Sequence, residues 1–187
     1  MKLVVLTGIP GSGSTTVLSN ALKDVDYLHL NYGDIMMELS RELKIAEDRD
    51  DLRKLSPEIQ KDVQKKAAAK IKEQSQDQNV IVDTHCTIST PSGFLPGLPQ
   101  WVLNELQPDA FVLIEANPDE IIVRRLGDES RNRDSQTYDE IARHQDINRA
   151  TAMVYATLTG STVKFLENHD NELNETVSLL VDTLNNL

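Results

Sequence analysis

An apolar run at residues 2–7 opens directly into Gly8-Ile9-Pro10-Gly11-Ser12-Gly13-Ser14-Thr15, and residues 14–22 have helical composition. A buried strand, a glycine-rich turn and a helix in immediate succession leave the backbone little choice. The turn matches G-x-x-x-x-G-K-[ST] everywhere except at the lysine, where Ser14 stands. The glycines let the backbone wrap close to a phosphate with its N–H groups turned inward. The helix dipole adds partial positive charge at the same point. Thr15 is then placed to put its hydroxyl on Mg²⁺, and Thr16 to donate to an α-phosphate oxygen. Transfer of a phosphoryl group relies mainly on electrostatic stabilisation, so with Ser14 in the lysine position another cation has to substitute.

The rest of the chain repeats the alternation. Short β-branched or apolar runs at residues 27–30, 80–82, 110–115 and 161–166 read as strands. Between them, residues 34–43, 57–72, 101–106, 118–126, 141–159 and 173–184 read as helices, the second with Ser56 as N-cap and Pro57 at its first position. Strands alternating with helices imply βαβ units. The expected fold is α/β, a P-loop NTPase-like sandwich with a five-stranded parallel sheet, helices on both faces and a short lid. One domain spans residues 1–187. In such sheets the ligand sits at the carboxyl ends of the strands, and Gly8 and Asp83 both fall there. Residues 89–99, rich in proline and glycine, read as a loop. Residues 127–139 are polar and read as a short lid excursion, and residues 48–54 form a charged turn between two helices.

Composition narrows the function classes. The net charge of −11 argues against a nucleic-acid partner. No apolar run approaches the roughly 20 residues that cross a bilayer, and the apolar start is too short for a signal peptide. The single cysteine, Cys86, excludes an internal disulfide and fits a reducing, cytoplasmic setting. Within this acidic chain, six of the nine arginines fall between Arg124 and Arg149. Arg124, Arg125, Arg131 and Arg133 flank the polar excursion, and Arg143 and Arg149 follow on the next helix. Guanidinium groups grip phosphate oxygens in a bidentate fork and stack on purines. Asp128, Glu129 and Asp134 are interleaved with them, so paired surface charges are the competing reading. Asp83, ending the third strand, is either an acid that holds Mg²⁺ or a loop or cap acid. His85 either touches substrate or is structural. Arg49 and Arg53, one helical turn apart, either share a phosphate or belong to a charged surface.

The chain resembles the archaeal-type adenylate kinases. The resemblance rests on residues 8–16, Asn31-Tyr32-Gly33-Asp34, Asp48-Arg49-Asp50 with residues 52–55, Asp83-Thr84-His85, residues 90–99 and Arg131-Asn132-Arg133, and runs through most of the chain. It implies reversible transfer between ATP and AMP to give two ADP, with Mg²⁺. It implies that Gly8, Ile9, Pro10, Gly11, Ser12, Gly13, Ser14, Thr15 and Thr16 bind the ATP phosphates and that Arg125 packs on the ATP base. Residues 31–72 become the AMP-binding helical region: Tyr32, Gly33 and Asp34 border the pocket, Arg49 and Arg53 lie on the AMP-phosphate side, and Thr84 and His85 join the substrate-binding residues. Thr15 and Asp83 form the metal set. Arg131 and Arg133, in the lid, and Arg149 are the catalytic candidates. Some members are homo-oligomers, so Met153, Val154 and Leu158 face either a second copy or the chain's own core. Two other functions share the phosphate loop: a kinase of another small acceptor, and a non-enzymatic switch that uses ATP binding.

Overall fold

The computed structural model describes residues 1–127 and 136–187. In chain order the elements are β1 (Leu3–Thr7), α1 (Ser14–Ala21), β2 (Leu28–Asn31), α2 (Tyr32–Glu42), α3 (Arg49–Lys54), α4 (Pro57–Gln74), β3 (Val80–Thr84), β4 (Thr87–Thr90), β5 (Gly93–Pro96), α5 (Gln100–Leu106), β6 (Ala110–Glu115), α6 (Pro118–Leu126), α7 (Tyr138–Thr159), β7 (Thr162–Glu167) and α8 (Leu173–Asn185). Five strands form one sheet in the order β2-β3-β1-β6-β7, every neighbouring pair parallel. The strand that leads into the glycine-rich turn is therefore central.

Alternation along the strands divides the interior into two layers. Leu3 and Val5 of β1, with Val80, Val82, Phe111 and Leu113, meet α2, α4, α5 and α7 through Ile35, Ile71, Leu103 and Tyr155. Val4, Leu6, Ile81 and Val112 meet α1 and α8 on the opposite face through Val17, Leu18, Leu180 and Leu184. Because both faces are covered, all five residues of β1 are buried.

Three stretches differ from the sequence reading. Residues 89–99 are not simply a loop: β4 and β5 pair as an antiparallel hairpin, with Thr90 opposite Gly93. Thr90 Oγ1 donates to Gly93 O at 2.7 Å and accepts from Ser92 N–H at 3.2 Å, so Pro91 and Ser92 make a tight turn. The charged turn is the helix α3, capped by the Asp48 carboxylate on the N–H groups of Asp50 and Asp51. The long helix α7 begins at Tyr138, where Thr137 and Glu140 form a reciprocal capping box.

Candidate nucleotide site

The loop between β1 and α1 takes the conformation its glycines permit. Gly11 and Gly13 have φ of 96° and 85°, in the left-handed region that a side chain resists. Ser12 N–H donates to Ile9 O at 3.0 Å and closes the turn. Gly13 is the N-cap residue of α1, and no side chain caps that helix. The first-turn N–H groups of Ser14, Thr15 and Thr16 thus have neither an intrahelical partner nor a cap, the arrangement that suits an anion. Thr15 and Thr16 are exposed and Ser14 is half-buried.

Asp83 lies one strand over, in register with Leu6 of β1, at the same rim. Asn31 Nδ2 donates to Asp83 Oδ2 at 3.2 Å, and His29 Nε2 stands 3.9 Å from that oxygen. The same Asn31 caps α2, its Oδ1 accepting from Asp34 N–H at 3.1 Å. A carboxylate and a threonine hydroxyl are hard oxygen donors and few in number. That donor set fits Mg²⁺, which keeps water and phosphate oxygens in its shell.

Arg49 reaches from α3 back to the first turn of α2, with Nη2 2.7 Å from Asp34 Oδ1 and both side chains exposed. A Cβ built on Gly33 would lie 3.5 Å from Arg49 Nη2, so the guanidinium sits close against the backbone there. Arg53 pairs instead with Asp50 at 2.8 Å within α3. The Tyr32 side chain turns away from this corner: it is buried, and its hydroxyl donates to Gln64 O of α4 at 2.8 Å. It ties α2 to α4. Thr84 is paired with Thr7 at the ends of β3 and β1. His85 follows it with an edge open to solvent, yet the protein around it lowers its pKa by desolvation; the Asp83 carboxylate opposes that shift and Arg49 adds to it. The acid at the end of β3 and the arginine of α3 therefore both act on one imidazole.

The arginines divide into three groups. Arg125 lies along the loop, its Nε donating to Pro10 O at 2.7 Å and its Nη1 to Gln136 Oε1 at 2.6 Å. Arg131 and Arg133 lie outside the described residues. Arg149 is bound to Glu115, with Nε 3.0 and 2.9 Å from the two carboxylate oxygens, and to Asp146 at 3.2 Å. Arg143 is exposed and reaches no hydrogen-bond or ion-pair partner among the described residues. Two further residues carried no role in the sequence reading, Asn31 beside Asp83 and Asn168 at the loop, and Arg124 entered it only as one of the arginines flanking the polar excursion. Asn31 had one local signal, its position three residues before Asp34 at a helix start. Asn168 had none, and the arginine cluster did not reveal which loop atom Arg124 meets, because both contacts with the loop span more than a hundred residues.

Comparison with known proteins gives this geometry its context. A family profile described as an AAA domain matches residues 7–142. The adenylate kinase of Methanothermobacter thermautotrophicus is 58% identical over 98% of this chain and 100% of its own. That of Methanopyrus kandleri is 52% identical over 99% and 98%. Among solved structures, a shikimate kinase from Bacteroides thetaiotaomicron superposes with a TM-score of 0.57 over 98% of each chain, at 14% identity, and so shares the fold. A glycine loop feeding a helix, an acid on the neighbouring strand and near-full-length identity with curated relatives agree: the chain belongs to the adenylate kinase family.

Proposed function

We propose that this protein catalyses the reversible, Mg²⁺-dependent transfer of the terminal phosphoryl group of ATP to AMP, giving two ADP. The observation that carries the proposal is a juxtaposition. The uncapped start of α1 follows β1 at the rim where Asp83 ends β3, and His85, two residues on, feels both the Asp83 carboxylate and the Arg49 guanidinium of the Arg49–Asp34 corner.

Transfer is direct. An oxygen of the AMP phosphate, already ionised at neutral pH, attacks the γ-phosphorus while the bond to the β,γ-bridging oxygen breaks. No general base and no covalent intermediate is required. The N–H groups at the start of α1 bind the ATP phosphates, and Arg125 borders the base. Arg49 and Arg53 hold the AMP phosphate once they exchange their exposed carboxylate partners for it. Thr15 and Asp83 would hold Mg²⁺, which when bound neutralises charge on the phosphates. Arg131 and Arg133 close from the lid and exclude water, with Arg143 or Arg149 of α7 completing the positive lining. The reaction belongs in the cytoplasm, where both nucleotides are found; among the described residues no helix is long and apolar enough to cross a membrane. A homo-oligomer would give a partner to the exposed Met153, Val154 and Leu158.

The test is a coupled assay with Mg-ATP against AMP, CMP, UMP, GMP and buffer alone. Turnover with AMP is expected. Turnover confined to another monophosphate would make this a kinase of a different acceptor. ATP loss independent of any acceptor would favour a switch, the reading to which Ser14 lends support.

A further inference from the structure

Ser14 leaves the loop without the point charge that lysine supplies, yet besides Arg125 on Pro10 O a second guanidinium is fixed against the loop, nearer its helix end. Arg124, on α6, holds Asp170 Oδ1 with Nε at 3.0 Å and Nη2 at 2.7 Å. Its Nη2 also donates to Asn168 O at 2.8 Å. That leaves Nη1 for the loop, 3.3 Å from Ser12 O and 3.5 Å from Gly11 O. Asn168 is buried and sends its Nδ2 to the same Ser12 carbonyl at 2.8 Å. The packing is close enough that a Cβ on Gly13 would collide with the Asn168 amide.

A trans peptide directs its C=O and the following N–H to opposite sides. Two donors that hold Ser12 O on the outer side therefore turn the Gly13 N–H to the inner side, where a phosphate docks. A cation on the carbonyl also polarises the peptide and strengthens its N–H as a donor. We infer that Arg124 is a positioning residue that takes over from the missing lysine: acting through the Ser12–Gly13 peptide, with Asn168 and Asp170 fixing its direction, it sets the affinity of the loop for a nucleoside triphosphate. The inference rests on the reading of this loop as the ATP donor site.

Arg124→Met, Arg124→Lys and the parent are compared by calorimetry with Mg-ATP and, separately, with AMP. Arg124→Met is expected to weaken ATP binding by about tenfold, the scale of one charge-assisted hydrogen bond, while AMP affinity stays within about twofold. Arg124→Lys keeps the charge but not the fork and falls between the two. If Arg124→Met does not fold, Asp170→Asn, which leaves Arg124 in place with a loosened fork, is expected to weaken ATP binding by about threefold with AMP unaffected. ATP affinity at the parent's level in the variant that folds, or equal losses for ATP and AMP, overturns the inference. A parent chain that binds AMP but no ATP overturns the donor reading itself, and this inference with it.

Discussion

Asp83 sits between two roles that a single substitution separates. Its carboxylate accepts from Asn31 Nδ2 at the end of β3, in register with Leu6 of β1. Asp83→Asn keeps the shape and an oxygen acceptor for Asn31 but removes the charge. Folding should be unchanged, while turnover at saturating nucleotides falls by about 10²-fold or more and half-maximal rate needs more Mg²⁺. A steady-state Mg²⁺ titration of the variant checks this; parental activity at limiting Mg²⁺ would refute the metal role. At this scale the sequence was readable wherever chemistry is local. Gly8 to Thr16 and Asp83 announce themselves because each follows its own strand. Arg124 and Asn168 do not, since the Ser12 carbonyl they hold lies across the chain from them. Tyr32, which the resemblance set at the border of the AMP pocket, has its side chain in the core, a burial that its place at a helix start did not reveal.

Among the elements, the β4–β5 hairpin shows why composition misled. Pro91, Gly93, Pro96 and Gly97 are breakers inside a regular strand, but a hairpin edge needs few ladder donors and a tight turn welcomes them. Gly97 is also a point of close approach. Its N–H donates to Cys86 O at 2.8 Å, and a Cβ there would fall on the His85 carbonyl. Gly97→Ala should push the exit of β3 aside. We expect a loss of about 1–3 kcal/mol by thermal denaturation, typical of an overpacked site, with KM for AMP rising more than KM for ATP if His85 borders the acceptor as proposed. Equal KM changes would separate the hairpin from the acceptor pocket. Helix α7 was legible in its body and missed at its start, where the capping box lies in polar sequence that resembles the excursion before it.

For the molecule as a whole, the alternation of elements was readable but the strand order was not, because parallel neighbours are joined by long crossovers. The Glu115–Arg149 pair depends on that order: it ties the end of β6 to α7. Glu115 is buried, which raises its pKa, while Arg149 opposes the shift. An acid with a raised folded pKa costs stability as pH rises through that value. Arg149→Met removes the opposing partner, so it should destabilise by about 1–3 kcal/mol, less than a fully buried pair because Arg149 is half exposed, and the deficit should grow as pH rises. Glu115→Gln combined with Arg149→Met should restore the thermal midpoint. Turnover of that stable double variant within about threefold of the parent would confine Arg149 to the ion pair its geometry displays; a persistent large loss would place it at the transferring phosphate. On the same helix, Met153, Val154 and Leu158 are 52%, 56% and 56% exposed. The chain's own core takes Ala152, Tyr155 and Ala156 instead, a choice of face that the apolar pattern of α7 did not reveal.

Two nucleotide sites sharing one line of transfer is the claim on which the account stands. Calorimetry with two adenosines joined through five phosphates tests it, since a ligand filling both sites makes the second contact at high effective concentration. One molecule should bind per chain, at least about 10²-fold tighter than ATP or AMP alone, with both nucleotides displaced. Affinity no better than that of ATP, or continued AMP binding in its presence, would contradict the account.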